Sequence, residues 1–289
     1  MAELLKGKPV VESIAADLAP RIAALKQTGV TPTLAIVRVG ERPDDLSYER
    51  TARKRAESLG CAVRPFALDA FAPQEELEAV LREVNHDATI HGCLLFRPLP
   101  SFMDETQVCE LLDPQKDIDG ITLASLASVF TDGTVGYPPA TAAACMHMLD
   151  HYRVPLEGKH VVVVGRSLVV GKPVSMLLLR RNASVTMCHS KTENLSAICR
   201  SADVVICATG RARGFGAEFF SPGQTVLDVG INFDASGNLC GDVDFDAVKP
   251  IVAAITPVPG GIGTVTTSVT MAHTVAAAQV AEQCASLRL

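Results

Sequence analysis

No C-x-x-C pair occurs in this chain, although it holds nine cysteines, at positions 61, 93, 109, 145, 188, 199, 207, 240 and 284. An odd number of scattered thiols without metal-ligand spacing reads as reduced, buried cysteine in a cytoplasmic protein, and predicts no metal site. Long apolar runs are also missing. Each candidate is broken by charge or glycine before it could span a bilayer, which predicts no membrane partner. Residues 1–8 lack the apolar core of an export signal. Positive charge is not in excess: 26 Lys and Arg face 32 Asp and Glu, a net charge of -6. That balance argues against a general nucleic-acid binder. There is no internal repeat and no low-complexity tract. What is present is 289 residues, 48% hydrophobic and 20% charged, enough for two ordinary soluble domains.

Apolar residues recur at helical spacing over 9–27 (Val10, Ile14, Leu18, Ile22, Leu25). A strand follows from Leu34 to Val39, then a helix over 44–59 that stops at Gly60. A strand at 62–68, a helix at 73–85 and a strand at Cys93–Phe96 continue the alternation, which predicts a parallel α/β sheet. Pro98-Leu99-Pro100 ends it. A second unit begins near Pro139, with helices at 141–150, 173–181 and 193–200. Its strands fall at 161–164, 184–188, 203–208 and 225–229. The last helix, about 265–286, is expected to return to the first lobe. The reading is an α/β fold of two lobes: 1–139 plus 265–289, and a doubly wound, Rossmann-type lobe over 140–264.

The most informative stretch is Val161-Val162-Val163-Val164-Gly165-Arg166-Ser167-Leu168-Val169-Val170-Gly171-Lys172-Pro173. Four β-branched residues form a buried strand. Gly165 permits a sharp turn and close approach to a ligand. Pro173 suits the first turn of a helix. Free N–H groups there, with Arg166 and Lys172, make a cradle for phosphate. The segment also fits a plain β-turn-α crossover without ligand, since its spacing is not G-x-G-x-x-G.

Five segments together carry a family resemblance. They are Gly165-Arg166-Ser167 with Gly171-Lys172-Pro173, Cys188-His189-Ser190-Lys191-Thr192, Asp228-Val229-Gly230-Ile231-Asn232, Thr256 to Gly263, and Lys116-Asp117-Ile118-Asp119-Gly120. In this order and spacing the chain resembles the bifunctional methylenetetrahydrofolate dehydrogenase/methenyltetrahydrofolate cyclohydrolase family over almost its whole length. The resemblance implies oxidation of 5,10-methylenetetrahydrofolate by NAD(P)+, then hydrolysis of the methenyl product to 10-formyltetrahydrofolate. It implies that Gly165, Arg166, Ser167, Ser190 and Ile231 line the dinucleotide site. Tyr48, Asp119 and the loop Pro259, Gly260, Gly261, Ile262 and Gly263 would meet the reduced folate, with Tyr48 and Asp119 as catalytic-site residues. It also implies a homodimer.

The residues themselves add detail. The acid that would bond the ribose of NAD is absent after the second strand of the nucleotide lobe. His189-Ser190-Lys191 stands there instead, and with Arg166 it favours the 2′-phosphate of NADP over NAD. Lys191 also fits a solvated charge, and Ser190 a helix cap. Tyr48 offers a flat face with a polar tip, or a half-buried core ring. Asp119 could take two parallel hydrogen bonds from an aminopyrimidinone head, or could be a turn residue.

The first lobe departs from the family pattern where chemistry is expected. The family lysine four residues after the tyrosine is Ala52 here. The family serine three residues before it is Asp45. The glutamine of the Gln-x-Pro-Leu-Pro stretch is Phe96, the Pro-Cys-Thr-Pro segment is Pro139-Ala140-Thr141-Ala142, and Thr264 follows Gly263 where proline is usual. Arg50 and Lys54 lie on helix faces different from that of Ala52, since each residue turns a helix by about 100°. Neither Ala52 nor Phe96 can carry a proton, so the hydrolytic step is expected to be weak or absent, while hydride transfer, which depends on positioning, is expected to persist. Asp45 could stabilise a cationic product or cap the 44–59 helix. Two alternatives stand beside this: a paralogue acting on another cyclic iminium or amine, and a silent binding subunit.

Overall fold

The computed structural model describes residues 2–287, so the outer ends of the expected first domain, at 1 and 289, lie outside the described residues. In chain order the elements begin β1 (Glu3–Leu4), α1 (Gly7–Gln27), β2 (Thr33–Val39), α2 (Pro43–Leu59), β3 (Ala62–Leu68), α3 (Gln74–His86), β4 (Gly92–Leu95), α4 (Glu105–Glu110), α5 (Leu123–Thr131) and α6 (Ala140–His151). They continue with β5 (His160–Val164), α7 (Gly171–Leu179), β6 (Ser184–Cys188), α8 (Leu195–Arg200), β7 (Val204–Cys207), β8 (Thr225–Asp228), β9 (Asn232–Phe233), β10 (Leu239–Cys240), α9 (Phe245–Val248), β11 (Ala254–Ile255) and α10 (Ile262–Ser286). The chain forms two compact units, Ser13–Ala140 with Thr267–Leu289, and Met1–Glu12 with Thr141–Thr266.

The division differs from the sequence expectation at the N-terminus. Residues 2–12 join the second unit because β1 pairs in parallel with β11, Glu3 opposite Ala254 and Leu4 opposite Ile255. Glu3 N–H donates to Ala253 O at 2.8 Å and Leu5 N–H to Ile255 O at 2.9 Å, and Leu5 is buried. Two-residue strands carry no periodicity, so neither β1 nor β11 could be read from sequence.

The first unit holds a three-stranded parallel sheet in the order β3-β2-β4. Its core joins Ala35, Val37 and Leu95 of the sheet to Leu77, Leu81 and Val84 of α3. Helix α2 starts with Pro43 in its first turn and Asp44 and Asp45 near its positive end. It stops at Gly60 (φ 74°), whose N–H reaches back to the carbonyls of Ala56 and Glu57. Its inward face is Asp45, Glu49, Ala52 and Ala56, a spacing of four, three and four. Glu49 is paired there by Arg38 at 3.0 Å and by Arg53.

The second unit is a six-stranded sheet, all parallel, in the order β1-β11-β8-β7-β5-β6. The chain leaves β5 toward β6 on one side and returns to β7 on the other. That reversal opens a crevice at the carboxyl ends of β5 and β7, where ligands of doubly wound folds bind. Eight of the nine cysteines are buried, but Cys284 near the end of α10 is exposed, against the expectation of burial throughout. No helix among the described residues is long and apolar enough to cross a membrane.

Candidate active site

In the second unit the crevice is built around Gly165. Its φ is +134°, and a Cβ there would strike the Ala208 carbonyl at the end of β7. Gly171 opens α7, and a Cβ there would strike the Gly165 carbonyl, so a side chain has no room at either glycine. The N-cap of α7, Val170, offers no side-chain acceptor, and Pro173 has no N–H to satisfy, so Gly171 N–H is the donor of this first turn left for another partner. Ser167 shapes the turn by accepting from Val170 N–H at 3.1 Å, while Lys172 N–H donates to Ser167 O at 3.0 Å. Arg166, Ser167, Ser190 and Lys191 are exposed, and Ile231 is 65% exposed. A backbone that excludes side chains, an uncapped helix start and cationic rim residues fit a pyrophosphate and a 2′-phosphate. Ser190 is not a helix cap, because α8 starts only at Leu195 and has Asn194 at its N-cap. Instead the His189–Thr192 turn is self-bonded: Thr192 Oγ1 accepts from His189 N–H at 2.9 Å and His189 Nδ1 from Lys191 N–H at 3.1 Å.

Gly165→Ala is expected to abolish the rise in thermal midpoint that NADP gives the parent chain. The methyl group meets backbone, which cannot swing aside, and the positive φ adds strain of about 1–3 kcal/mol. Thermal melts with and without NADP measure it, and an unaltered ligand shift would remove Gly165 from the cradle.

Two buried carboxylates that the sequence reading did not single out brace the same end of this sheet. Asp228 accepts from the N–H groups of Gly230, Asp242 and Val243 at 3.1, 2.9 and 2.9 Å. Asp242 accepts from Thr209 N–H, from Arg211 N–H at 3.0 Å and from Asn232 Nδ2 at 2.9 Å. Burial, reinforced by Asp242, pushes the Asp228 carboxyl up to about 7, against the lowering effect of its N–H donors. The network fixes the segment bearing Ile231. The expected loop 259–263 is shorter than read: α10 begins at Ile262, so Ile262 and Gly263 are its first residues. Gly7 N–H donates to Gly260 O at 2.7 Å and ties Pro259-Gly260-Gly261 to the start of α1.

In the first unit Tyr48, Phe96 and Asp119 come together. The Tyr48 and Phe96 rings meet edge to face, centroids 5.7 Å apart at 84°. The Tyr48 hydroxyl hydrogen-bonds the Thr270 side chain, and burial with the nearby Asp119 carboxylate raises its pKa far above the ordinary value. Asp119 is itself raised to about 6, by burial first and by Asp117, while Arg97 and the Ala140 N–H act to lower it. The Ala140 N–H is the first of α6, so Asp119 sits at that helix start rather than in a bare turn. Its neighbours in the Lys116–Gly120 segment are structural. Lys116 Nζ donates to the carbonyls of Val84, Asn85 and Asp87 at 2.7, 2.9 and 2.8 Å. Asp117 accepts from Ile121 N–H, Thr122 N–H and Oγ1, and Ser125 Oγ at 2.6–2.9 Å. Only the third charged residue of that motif keeps acceptor capacity for a ligand.

Ala52 is 1% exposed on the Tyr48 side of α2, and Phe96 is 8% exposed. Asp45 is neither a helix cap nor a lone negative charge. The N-cap is Arg42, whose guanidinium forks onto Asp45 at 2.8 and 3.0 Å. A carboxylate already paired in this way has little field left for a cationic product.

A parallel nucleotide-binding sheet in one unit, with a tyrosine beside a buried carboxyl in the other, defines a two-domain α/β enzyme of dinucleotide-dependent type. Comparison with known families makes this specific. Residues 5–119 match the catalytic domain of tetrahydrofolate dehydrogenase/cyclohydrolase, and residues 139–282 match its NAD(P)-binding domain. This chain belongs to that family and is a methylenetetrahydrofolate dehydrogenase. It is 50% identical over 282 residues to the bifunctional protein FolD of Carboxydothermus hydrogenoformans, covering 97% of this chain and 98% of that one. Among solved structures, the bifunctional FolD of Campylobacter jejuni superposes with a TM-score of 0.93 at 34% identity, covering 96% and 99% of the two chains. The Trypanosoma brucei enzyme, solved with NADP and an inhibitor, gives 0.90 at 32% identity, covering 96% and 97%.

Proposed function

We propose that this chain oxidises 5,10-methylenetetrahydrofolate to the methenyl form with NADP, and that it hydrolyses the product poorly. The observation that carries the second half is Ala52. At that buried position a methyl group lies on the Tyr48 side of α2, and the Phe96 ring packs edge to face on Tyr48. Opening the methenyl bridge needs a proton taken from water and one delivered to nitrogen. Neither Ala52 nor Phe96 can do either.

Hydride transfer asks less of the side chains. The nicotinamide supplies the hydride acceptor when bound. The chain's part is to hold the folate: Asp119 takes paired hydrogen bonds from the aminopyrimidinone, and Tyr48 lays its ring along the pterin. Arg166, Ser190 and Lys191 receive the 2′-phosphate of NADP. The segments 228–231 and 259–261 complete the reading through Ile231, Pro259, Gly260 and Gly261, with Ile262 and Gly263 at the start of α10. Supporting these roles are the raised Asp119, its coupling to Tyr48 and the exposure of the cationic rim. The chain acts as a cytoplasmic homodimer in this reading, for which family membership is the support.

The test is NADPH formation from methylenetetrahydrofolate, run beside methenyltetrahydrofolate hydrolysis. Expected are rapid NADPH formation and slow hydrolysis. A chain that forms no NADPH from any reduced folate, yet binds NADP, would instead act on another cyclic iminium or amine; Phe96 against Tyr48 is the observation that favours this second reading. Within the first, Arg166→Ala is expected to raise the KM for NADP by about 10- to 100-fold, the worth of one charge-assisted hydrogen bond or two, and to change the KM for NAD less. Equal effects on the two cofactors would place Arg166 away from the 2′-phosphate.

A further inference from the structure

Arg55 stands three residues beyond Ala52 and seven beyond Tyr48 on α2. At about 100° per residue it lies some 60° around the helix from Ala52 and 20° from Tyr48, so the three share one stripe. Long helical side chains lean toward the helix N-terminus, which carries the Arg55 stem back over the turn that holds Ala52. A methyl group at 52 leaves room for it.

The state of its nitrogen atoms sets Arg55 apart. The other arginines of this unit near the site are paired: Arg38 and Arg53 on Glu49, Arg42 on Asp45, Arg97 on Glu105. Among the described residues Arg55 makes no ion pair, and its Nε is buried without a hydrogen-bond partner. Only Ser268 Oγ shares that condition among the described residues. A buried donor on a charged group is expensive to leave unfilled, so it points to a partner that the protein alone does not provide. Arg50 and Lys54 are exposed and do not compete for the position.

We propose that the Arg55 guanidinium lies over Ala52, in the place of the lysine ammonium this chain lacks, and holds the water that adds to the methenyl bridge. This rests on the reading of a folate pocket at Tyr48 and Asp119. The water oxygen forms a bond to the bridge carbon, and the π pair of the C=N bond moves onto nitrogen. The proton released from the water passes to solvent base, because a guanidinium holds its own protons and cannot accept another. In the carbinolamine the hydroxyl then gives its proton to solvent base, the freed O–H pair forms the carbonyl as the C–N5 bond breaks, and the pair left on N5 takes a proton from solvent, leaving the N10-formyl product. Guanidinium donors orient the water; they do not move its proton. The hydrolysis that remains is therefore slow and driven by solvent base.

The test uses the full chain with 5,10-methenyltetrahydrofolate. Wild type is expected to exceed the buffer rate and to accelerate steadily with pH between about pH 7 and 8, above the window near 6 in which the buried Asp119 titrates, with no plateau there, as befits a guanidinium that orients the water but takes no proton from it. Arg55→Gln is expected to lower that excess about tenfold or more, and millimolar guanidinium chloride to restore part of it. Arg55→Lys, which keeps the charge but adds a group able to exchange a proton, is expected to introduce a plateau. Wild type that matches buffer overturns the proposal, as does an Arg55→Gln variant of unchanged rate, or a loss that guanidinium does not restore. NADPH formation by the same wild-type preparation separates the outcomes: its absence overturns the folate reading itself, whereas its presence with any of those three results overturns only the role of Arg55.

Discussion

Ala52→Lys combined with Phe96→Gln is expected to raise methenyltetrahydrofolate hydrolysis by about 10²–10⁴-fold, the usual worth of a positioned acid–base group. The single Ala52→Lys variant should recover part of this. Ala52 is 1% exposed and lies one helical turn from Tyr48, so an ammonium there is close to the aromatic pair and shielded from bulk water. Burial and the neighbouring Arg55 charge both disfavour the protonated amine, which brings a lysine toward the proton affinity a base needs near neutral pH. Phe96 must change as well, because its ring is packed edge to face on Tyr48 and leaves the lysine without a hydrogen-bonding neighbour. Product analysis alongside NADPH formation measures the outcome. If the double variant folds, forms NADPH and still hydrolyses at the parental rate, position 52 does not face the reacting carbon.

The contrast between the two units shows how far a sequence can be read. The nucleotide cradle was legible because its chemistry is backbone chemistry. Gly165 and Gly171 are glycines for steric reasons, and the valine run before them can be little except a buried strand. Helix α2 was legible from its spacing to Gly60. What its residues do was not. Asp45 looked like a cap or a free charge, and only the geometry shows Arg42 in the cap position and gripping it. In Lys116-Asp117-Ile118-Asp119-Gly120, two charged residues of similar appearance have opposite fates. Asp117 is consumed by four donors, while Asp119 keeps its proton to about pH 6. The difference lies in what surrounds each carboxyl: the 121–125 segment folds its N–H and hydroxyl donors onto Asp117, while Asp119 is buried with the Ala140 N–H as its backbone donor, and burial of this kind has no local sequence signal. Arg55 was missed for a similar reason. Arg53 adjoins Ala52, and Arg50 and Lys54 stand two residues from it, but helical direction matters more than nearness along the chain. The Asp228–Asp242 pair spans fourteen residues and has no periodic signature.

Asp119→Asn is expected to lower kcat/KM for methylenetetrahydrofolate by about 10²–10⁴-fold, because two charge-assisted hydrogen bonds of about 1.5–3 kcal/mol each lose their paired acceptor. The pH dependence carries a second signature with a defined sign. The Asp119 carboxyl rests at about 6 in the folded protein against 3.8 for an ordinary aspartate, burial being the main cause. Below about pH 6 it is protonated and can no longer accept two bonds, so wild-type kcat/KM should fall on the acid side with an apparent pKa near that value. Stability of the unliganded chain runs the other way. A carboxyl raised on folding contributes stability that is fully present below about pH 4 and is lost as pH rises through about 6. Asp228, raised to about 7, adds a slope of the same sign in a neighbouring window, so the informative quantity is the difference between variant and wild type. Asparagine keeps an oxygen for the Ala140 N–H but does not titrate. The variant should therefore lose both the acid limb in kcat/KM and its share of the stability slope between about pH 4 and 6, in thermal melts without ligand. Loss of the stability slope with the acid limb intact would confine Asp119 to the start of α6 and assign pterin recognition to another group.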